Sequence, residues 1–360
     1  MKHYDVAVIG SGPAGQKAAI QAAKLEKKVC IIEKDPVLGG AGINTGTIPS
    51  KSLREAVLYL TGSNKRALYG DNFRPKRDIT IEDLIYVSQH VIHNERAVIR
   101  EHFDHNGIDL LWGNAHFEGP NLLQLAQPAH TDLITAEHFI ICTGTRPATP
   151  PHVPFNDHNI FTSDGLLKLV HLPKSIIVVG GGVIGVEYAC MLGTLGVRVT
   201  LVEGRTHLLD FLDREIVEAL QYQMRQVGIT LRLGEKVAKI EEVPNNAHDR
   251  NGAAGEAPPP VVPSALTAGV IAESTAAIPG AMLVQARLES GKVLTAEGLL
   301  YAVGRQGTTR ALELEKANLV ADDRERLKVN ENYQTEVPHI YAAGDVVGFP
   351  ALASTAMEQG

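Results

Sequence analysis

Between Tyr4 and Lys34 the apolar residues gather in two short runs, DVAVIG and VCIIEK, separated by the glycine turn SGPAG and an alanine-rich stretch reaching Leu25. The pattern predicts strand, turn, helix, strand: a compact βαβ unit. The same order returns between Ser175 and Glu203 as IIVVG, GGVIG, a helix through Leu195 and VRVTLVE, so the chain carries an internal duplication. Between the two copies the periodicity predicts a polar helix over Ile81 to His105, a short β-rich stretch from Leu110 to Phe117 and an apolar strand FIICTG ending at Gly144. Arg146 to Pro154 holds four prolines and marks a crossover between domains. From about Pro244 to Gly280 the composition shifts to Pro, Ala, Gly and Asn and periodicity vanishes, which predicts a disordered insertion. The segments on either side, KVAKIEEV and AMLVQARLES, read as strands that pair with each other.

The chain has 360 residues, 44% hydrophobic and 21% charged, enough for a sizeable core divided among two or three domains. A net charge of −7 argues against a nucleic-acid surface or a polybasic membrane surface and leaves small molecules as the expected partners. The first predicted strand begins at Asp5, too early for a leader peptide, and no apolar run reaches bilayer length, so the expected location is cytoplasmic. Cys30, Cys142 and Cys190 are too widely spaced for a zinc or redox pair and read as packing residues. His105, His116 and His339 show no ligand spacing, and no metal site is expected.

In the first unit Gly10, Gly12 and Gly15 form G-x-G-x-x-G between strand and helix, with Pro13 and Ala14 inside the motif and Glu33, followed by Lys34, ending the second strand. Glycines there allow a tight turn and close approach of a pyrophosphate, the helix N-terminus favours its charge, and the acid accepts hydrogen bonds from a ribose. Gly180, Gly182 and Gly185 repeat the spacing around Val183 and Ile184, and Glu203 repeats the acid. Arg205 stands two residues on, where a guanidinium can neutralise a 2′-phosphate or lie on the surface, which leaves NAD and NADP both open. Two dinucleotide sites in one chain suggest a flavin and a nicotinamide.

GGAGINTGTIPSK, Gly39 to Lys51, resembles the redox-active segment of the pyridine nucleotide-disulfide oxidoreductases, with Gly42 and Thr47 where that family has its two cysteines. G-T-I-P-S-K followed by LREAVLYLTG resembles the soluble Si-specific NAD(P) transhydrogenase branch of the family. ICTGTRP (Ile141 to Pro147), LLDFLDREI (Leu208 to Ile216), YAVGR (Tyr301 to Arg305) and HIYAAGDVVGFPALASTAMEQG from His339 extend the resemblance over nearly the whole chain.

The resemblance implies an α/β fold of two Rossmann-like domains, with an NAD(P)-binding domain at 151–303 inserted between FAD-binding segments at 1–150 and 304–360. It implies FAD, NAD and NADP as cofactors. Asp345 would bond a ribityl hydroxyl, and backbone amides near Leu352 and Ala353 would face the flavin pyrimidine. Gly40, Ala115, Thr143 and Gly144, with Val237 and Gly304, complete the implied cofactor contacts. Lys51 and Glu187 match a Lys–Glu pair near the reactive edge of the flavin, and Thr47 stands as either a hydroxyl donor to the flavin or a space filler. The family continues beyond Gly360 into a dimerising interface domain of roughly a hundred residues. A homodimer is therefore implied for full-length members, whereas a chain ending at Gly360 is expected to lack that domain, which puts its dimerisation in doubt. The implied reaction moves a hydride between NADPH and NAD through FAD without a thiol. The alternatives are a diaphorase-type oxidoreductase and a truncated, idle flavoprotein.

Overall fold

The computed structural model describes residues 1–62, 79–245 and 282–360. Contacts divide the chain into two compact α/β units: Met1–Ser50 with Ser88–Arg146 and Arg305–Gly360, and Lys51–Val87 with Pro147–Gly304. The boundary expected at 150 leaves 51–87 with the first unit. Instead Leu53, Val57, Ile81 and Leu84 share one core with Leu166, Met191 and Leu192 of the second. The division falls within the helices Thr47–Thr61 and Ile81–His105, where no change of apolar pattern marks it.

The first unit is built on a seven-stranded sheet in which Asp109–Trp112, Val29–Glu33, Lys2–Ile9, Thr131–Ile141 and Ile340–Ala342 run parallel in that order. Strand Thr131–Ile141 serves two neighbours on one edge. Its first half pairs antiparallel with Leu122–Ala126, which leads on to Asn114–Gly119, and its second half pairs parallel with Ile340–Ala342. The expected stretch Leu110 to Phe117 is thus two strands interrupted at Gly113. Ala7, Val8, Ile9 and Val29 to Ile32 are all at most 4% exposed, the mark of parallel strands covered on both faces. The helix Pro13–Lys24 starts with proline in its first turn and lays Ala14, Gly15, Ala18 and Ala19 on the sheet, where small side chains permit close approach.

The helix Ile81–His105 matches the polar helix expected from the sequence. It opens with a reciprocal cap: Asp83 N–H donates to Thr80 Oγ1 (3.2 Å) and Thr80 N–H to Asp83 Oδ2 (2.9 Å).

The second unit repeats the parallel design with Thr230–Leu233, Arg198–Glu203, Ser175–Val179, Gly298–Tyr301 and Ile160–Phe161 in that order, beside a three-stranded antiparallel sheet. Two strands of the smaller sheet, Val237–Pro244 and Met282–Leu288, pair with one register shift between Val237 and Lys239 and then run without a break to Pro244 opposite Met282, as their flanking positions suggested. The insertion expected at about 244–280 lies almost wholly outside the described residues.

Phe139 is fully buried and meets Phe117 edge-on at 5.6 Å between ring centroids. Phe139→Ala is expected to destabilise the first unit by about 3–5 kcal/mol, measured as a lower urea midpoint at unchanged slope.

Candidate functional site

Each unit places a strand–glycine turn–helix cradle at the carboxyl end of its parallel sheet, and the three glycines of each cradle answer to different constraints. Gly10 and Gly180 have φ of +106° and +110°, and a Cβ there would lie 2.4 Å from the Cys142 carbonyl oxygen or 2.6 Å from that of Ala302. Gly15 and Gly185 carry the helix against the turn: an added Cβ would fall 1.9 Å from the carbonyl oxygen of Gly10 or Gly180. Gly12 and Gly182 are extended, at φ −67° and −80°, and a Cβ on either meets nothing within 4 Å. The fold therefore requires the outer glycines, while the middle ones keep open the space where a pyrophosphate would approach the helix N-terminus.

The strand-end acids are buried and anchored alike. Glu33 Oε2 accepts the Ser11 amide (3.0 Å) and hydroxyl (2.6 Å), and Oε1 accepts the Asp35 amide (3.0 Å). Ser11 Oγ in turn accepts the Gly39 amide at 3.1 Å, which ties the loop holding Gly40 to the cradle. Glu203 Oε2 accepts the Gly181 amide (2.6 Å), and Oε1 accepts the Arg205 amide (2.9 Å). Burial raises the Glu203 pKa, but the hydrogen bonds from Arg205 and Gly181 outweigh it and hold the carboxyl below its ordinary range.

Around the first cradle, Thr143 Oγ1 is buried without a partner among the described residues, an acceptor and donor left for a bound group. The next residues build a chain toward Asp345. Arg305 Nε donates to Thr145 Oγ1 (2.8 Å), which donates to Asp345 Oδ2 (3.0 Å). Ala353 opens the short helix Ala353–Gln359, and Ala115 is buried in the sheet. Lys34 is exposed beside Glu33, and Gly144 has φ +64° with open space where a Cβ would lie. These residues, with an open cradle and an unpartnered hydroxyl, fit a dinucleotide.

In the second unit Gly180, Glu203, Val237, Tyr301 and Val303 line a cleft of ≈ 310 Å³. Val183, Ile184 and Gly185 belong to the first turn of helix Val183–Thr194. Gly304, beside Val303, accepts the Ala148 amide at 3.1 Å.

Lys51 and Glu187 meet in the second unit at 2.5 Å, the lysine side chain 59% exposed and the glutamate 22%. Thr47 lies one turn before Lys51 on the same helix and is exposed. Gly42 sits against Pro13, with 3.2 Å from an added Cβ to the proline ring. All three thiols are removed from reactivity by burial, which pushes Cys30 and Cys142 up to about 12 and Cys190 up to about 11. His116, Glu118 and Glu313 do bring ligand atoms within 4.8 Å of one another, a convergence that sequence spacing did not reveal. Lys316 lies 3.0 Å from Glu118 and 2.7 Å from Glu313, so an ammonium already balances both carboxylates.

A model of the pyridine nucleotide-disulphide oxidoreductase family matches residues 4–257 and 265–360. The chain belongs to this family. Similar relatives include a soluble pyridine nucleotide transhydrogenase of Mycobacterium bovis, 45% identical over 362 residues covering 100% of this chain and 69% of that protein. One of Aliivibrio fischeri is 40% identical and covers 99% and 68%. The HOCl-induced flavoprotein disulfide reductase RclA of Escherichia coli, solved as a Cu(II) complex, aligns with a TM-score of 0.79 at 26% identity over 100% of this chain and 69% of its own. Family membership makes the chain an FAD-dependent oxidoreductase that works with nicotinamide dinucleotides. Among the described residues no helix is long and apolar enough to cross a membrane.

Sequence reasoning missed the anchors of the two acids, Ser11 and the Gly181 amide, and the Arg305–Thr145 support of Asp345. Contacts across 22 and 200 residues have no local signature.

Gly12→Ala is expected to shift stability by less than about 1 kcal/mol while abolishing retained flavin, whereas Gly15→Ala costs about 3 kcal/mol or more. Thermal melts and the flavin-to-protein absorbance ratio separate the two. Because Glu203 titrates below its unfolded value, its stabilisation is present above about pH 4.3 and is lost as pH falls through the folded value. The stability gap between the parent and Glu203→Gln should therefore be wide at pH 7 and narrower at pH 3.5 in urea titrations.

Proposed function

We propose that the chain is a Si-specific NAD(P) transhydrogenase that carries a hydride between NADPH and NAD by way of FAD, and that it acts in the cytoplasm. The observation that carries the proposal is the twofold phosphate cradle in a chain whose thiols are buried at Cys30 and Cys142, half-buried at Cys190 and all raised in pKa by desolvation. A disulfide relay needs an accessible thiolate, and positions 42 and 47 hold glycine and threonine. The relatives named transhydrogenases support the same reading.

In this reading Gly10, Gly12, Pro13, Ala14 and Gly15 would hold the FAD pyrophosphate, and Glu33 its adenine ribose. Gly40, Thr143 and Gly144, with Lys34 and Ala115 nearby, would enclose the rest of the adenosine end. Asp345, braced by Thr145 and Arg305, would take a ribityl hydroxyl, and Ala353 would present its amide to the ring. Gly180, Gly182, Val183, Ile184 and Gly185 would hold the nicotinamide dinucleotide, with Glu203, Arg205 and Val237 at its ribose and Gly304 beside it. The first cradle would hold FAD, whose ring would supply the chemistry of accepting a hydride from one nicotinamide and giving it to another.

The chain's own part is positioning and charge. Lys51, paired with Glu187, would supply the cation that negative charge on the flavin calls for, and the carboxylate would narrow the range of positions open to the half-exposed ammonium. Thr47, one turn earlier, supplies a hydroxyl where a thiol would stand. No general base is needed, since a hydride leaves and arrives with its electron pair. One nicotinamide cleft used in turn by donor and acceptor gives ping-pong kinetics.

The test is anaerobic addition of NADPH to the flavin-loaded chain, followed by thio-NAD. Bleached flavin bands that recover as thio-NADH forms support transhydrogenation; recovery with dyes or oxygen alone would make the chain a diaphorase. Lys51→Ala is expected to slow flavin reduction roughly 10- to 100-fold at unchanged FAD content, and Lys51→Arg to restore part of the rate.

A further inference from the structure

The duplicated cradles allow the two acids to be compared position by position. Each receives an amide from the residue after the first glycine, Ser11 or Gly181, and one from the residue two positions beyond itself, Asp35 or Arg205. The side chains at that last position differ in sign. In the second unit the Arg205 guanidinium folds back, with Nε 3.0 Å from Glu203 Oε1 and Nη2 3.2 Å from Oε2, while Nη1 reaches Asp210 Oδ1 at 2.6 Å.

A carboxylate offers about four acceptor positions. Those of Glu203 are filled by two amides and two guanidinium N–H groups. A ribose diol therefore finds no free acceptor on Glu203 until Arg205 moves. Glu33, by contrast, accepts three hydrogen bonds from the protein and keeps a position in reserve. Freedom to move is also distributed unequally: the Glu203 side chain is 10% exposed, but those of Arg205 and Asp210 are 43% and 50% exposed.

We propose that Arg205 is a movable specificity residue and that Asp210, by holding it, sets how the second cradle divides itself between NAD and NADP. The inference rests on the reading of that cradle as the nicotinamide dinucleotide site. With NAD, the guanidinium turns off Glu203 and stays on Asp210, and the freed carboxylate accepts the diol. With NADP, the 2′-phosphate draws the guanidinium from Asp210, and the cation then stands between phosphate and Glu203 and cancels their repulsion. Asp210 thus favours NAD and opposes NADP; it is a positioning residue that touches neither ribose.

The experiment is calorimetric titration of the flavin-loaded full chain with NAD and with NADP, neither of which reacts with oxidised flavin. Asp210→Asn is expected to tighten NADP and weaken NAD, moving the ratio of dissociation constants by about three- to tenfold toward NADP. Asp210→Glu should keep the parent ratio, and Arg205→Gln should move it toward NAD. Because Asp210 is half exposed, loss of fold is not expected, and a thermal melt checks it. If Asp210→Asn binds both nucleotides with the parent ratio, the positioning role is overturned and the nicotinamide site stands. If the parent binds neither, the site reading itself falls.

Discussion

The rest of the structure depends on one close approach: the first turn of a helix lying directly on the carbonyl oxygen of the glycine that follows a buried strand. It occurs twice, at Gly15 over Gly10 and at Gly185 over Gly180, with room for hydrogen and not for carbon. This contact aims the helix N-terminus, with its unpaired amides and partial positive charge, at the space above the strand end. It also sets the position of the strand-end acid through the amide of Ser11 or Gly181. Cradle, acid and the direction of helix charge are consequences of the same packing.

Chemistry is arranged around this frame by charge rather than by reactive side chains. Burial keeps every thiol protonated. The groups that remain are opposed charges, Lys51 with Glu187 and Arg205 with both Glu203 and Asp210, together with hydroxyls such as Thr143 and Thr145. Groups of this kind accord with the proposed transfer of an electron pair together with its hydrogen, because that step needs orientation and a steady field and leaves no proton to be fetched.

Most of this frame was legible in the sequence because it is local. The glycine spacing, the strand before it and the acid after it all lie within a run of about thirty residues, so Gly10 to Glu33 and Gly180 to Glu203 could be read directly. What could not be read depends on distance. The affiliation of Leu53, Val57 and Leu84 with the second core follows from which apolar face they meet, and an amphipathic pattern does not name its partner. Likewise the support of Asp345 by Thr145, and the convergence of His116, Glu118 and Glu313, join segments with no periodic relation. Arg205 was visible as a charge, but its fork onto Glu203 and Asp210 was not, because a side chain's direction is decided by its neighbours.

The pairing of Pro244 with Met282 bears on how such a chain evolves. Because the two strands close fully up to those residues, the sheet is complete whatever covalent path joins its last rung. In general, doubling the number of residues that link two fixed strand ends costs only about 0.6 kcal/mol of closure entropy. Selection on the sheet is therefore nearly blind to the length of that path. A lineage can gain or lose sequence at this point while the nucleotide cradles remain under full constraint, which makes the hairpin end a tolerant port for genetic change.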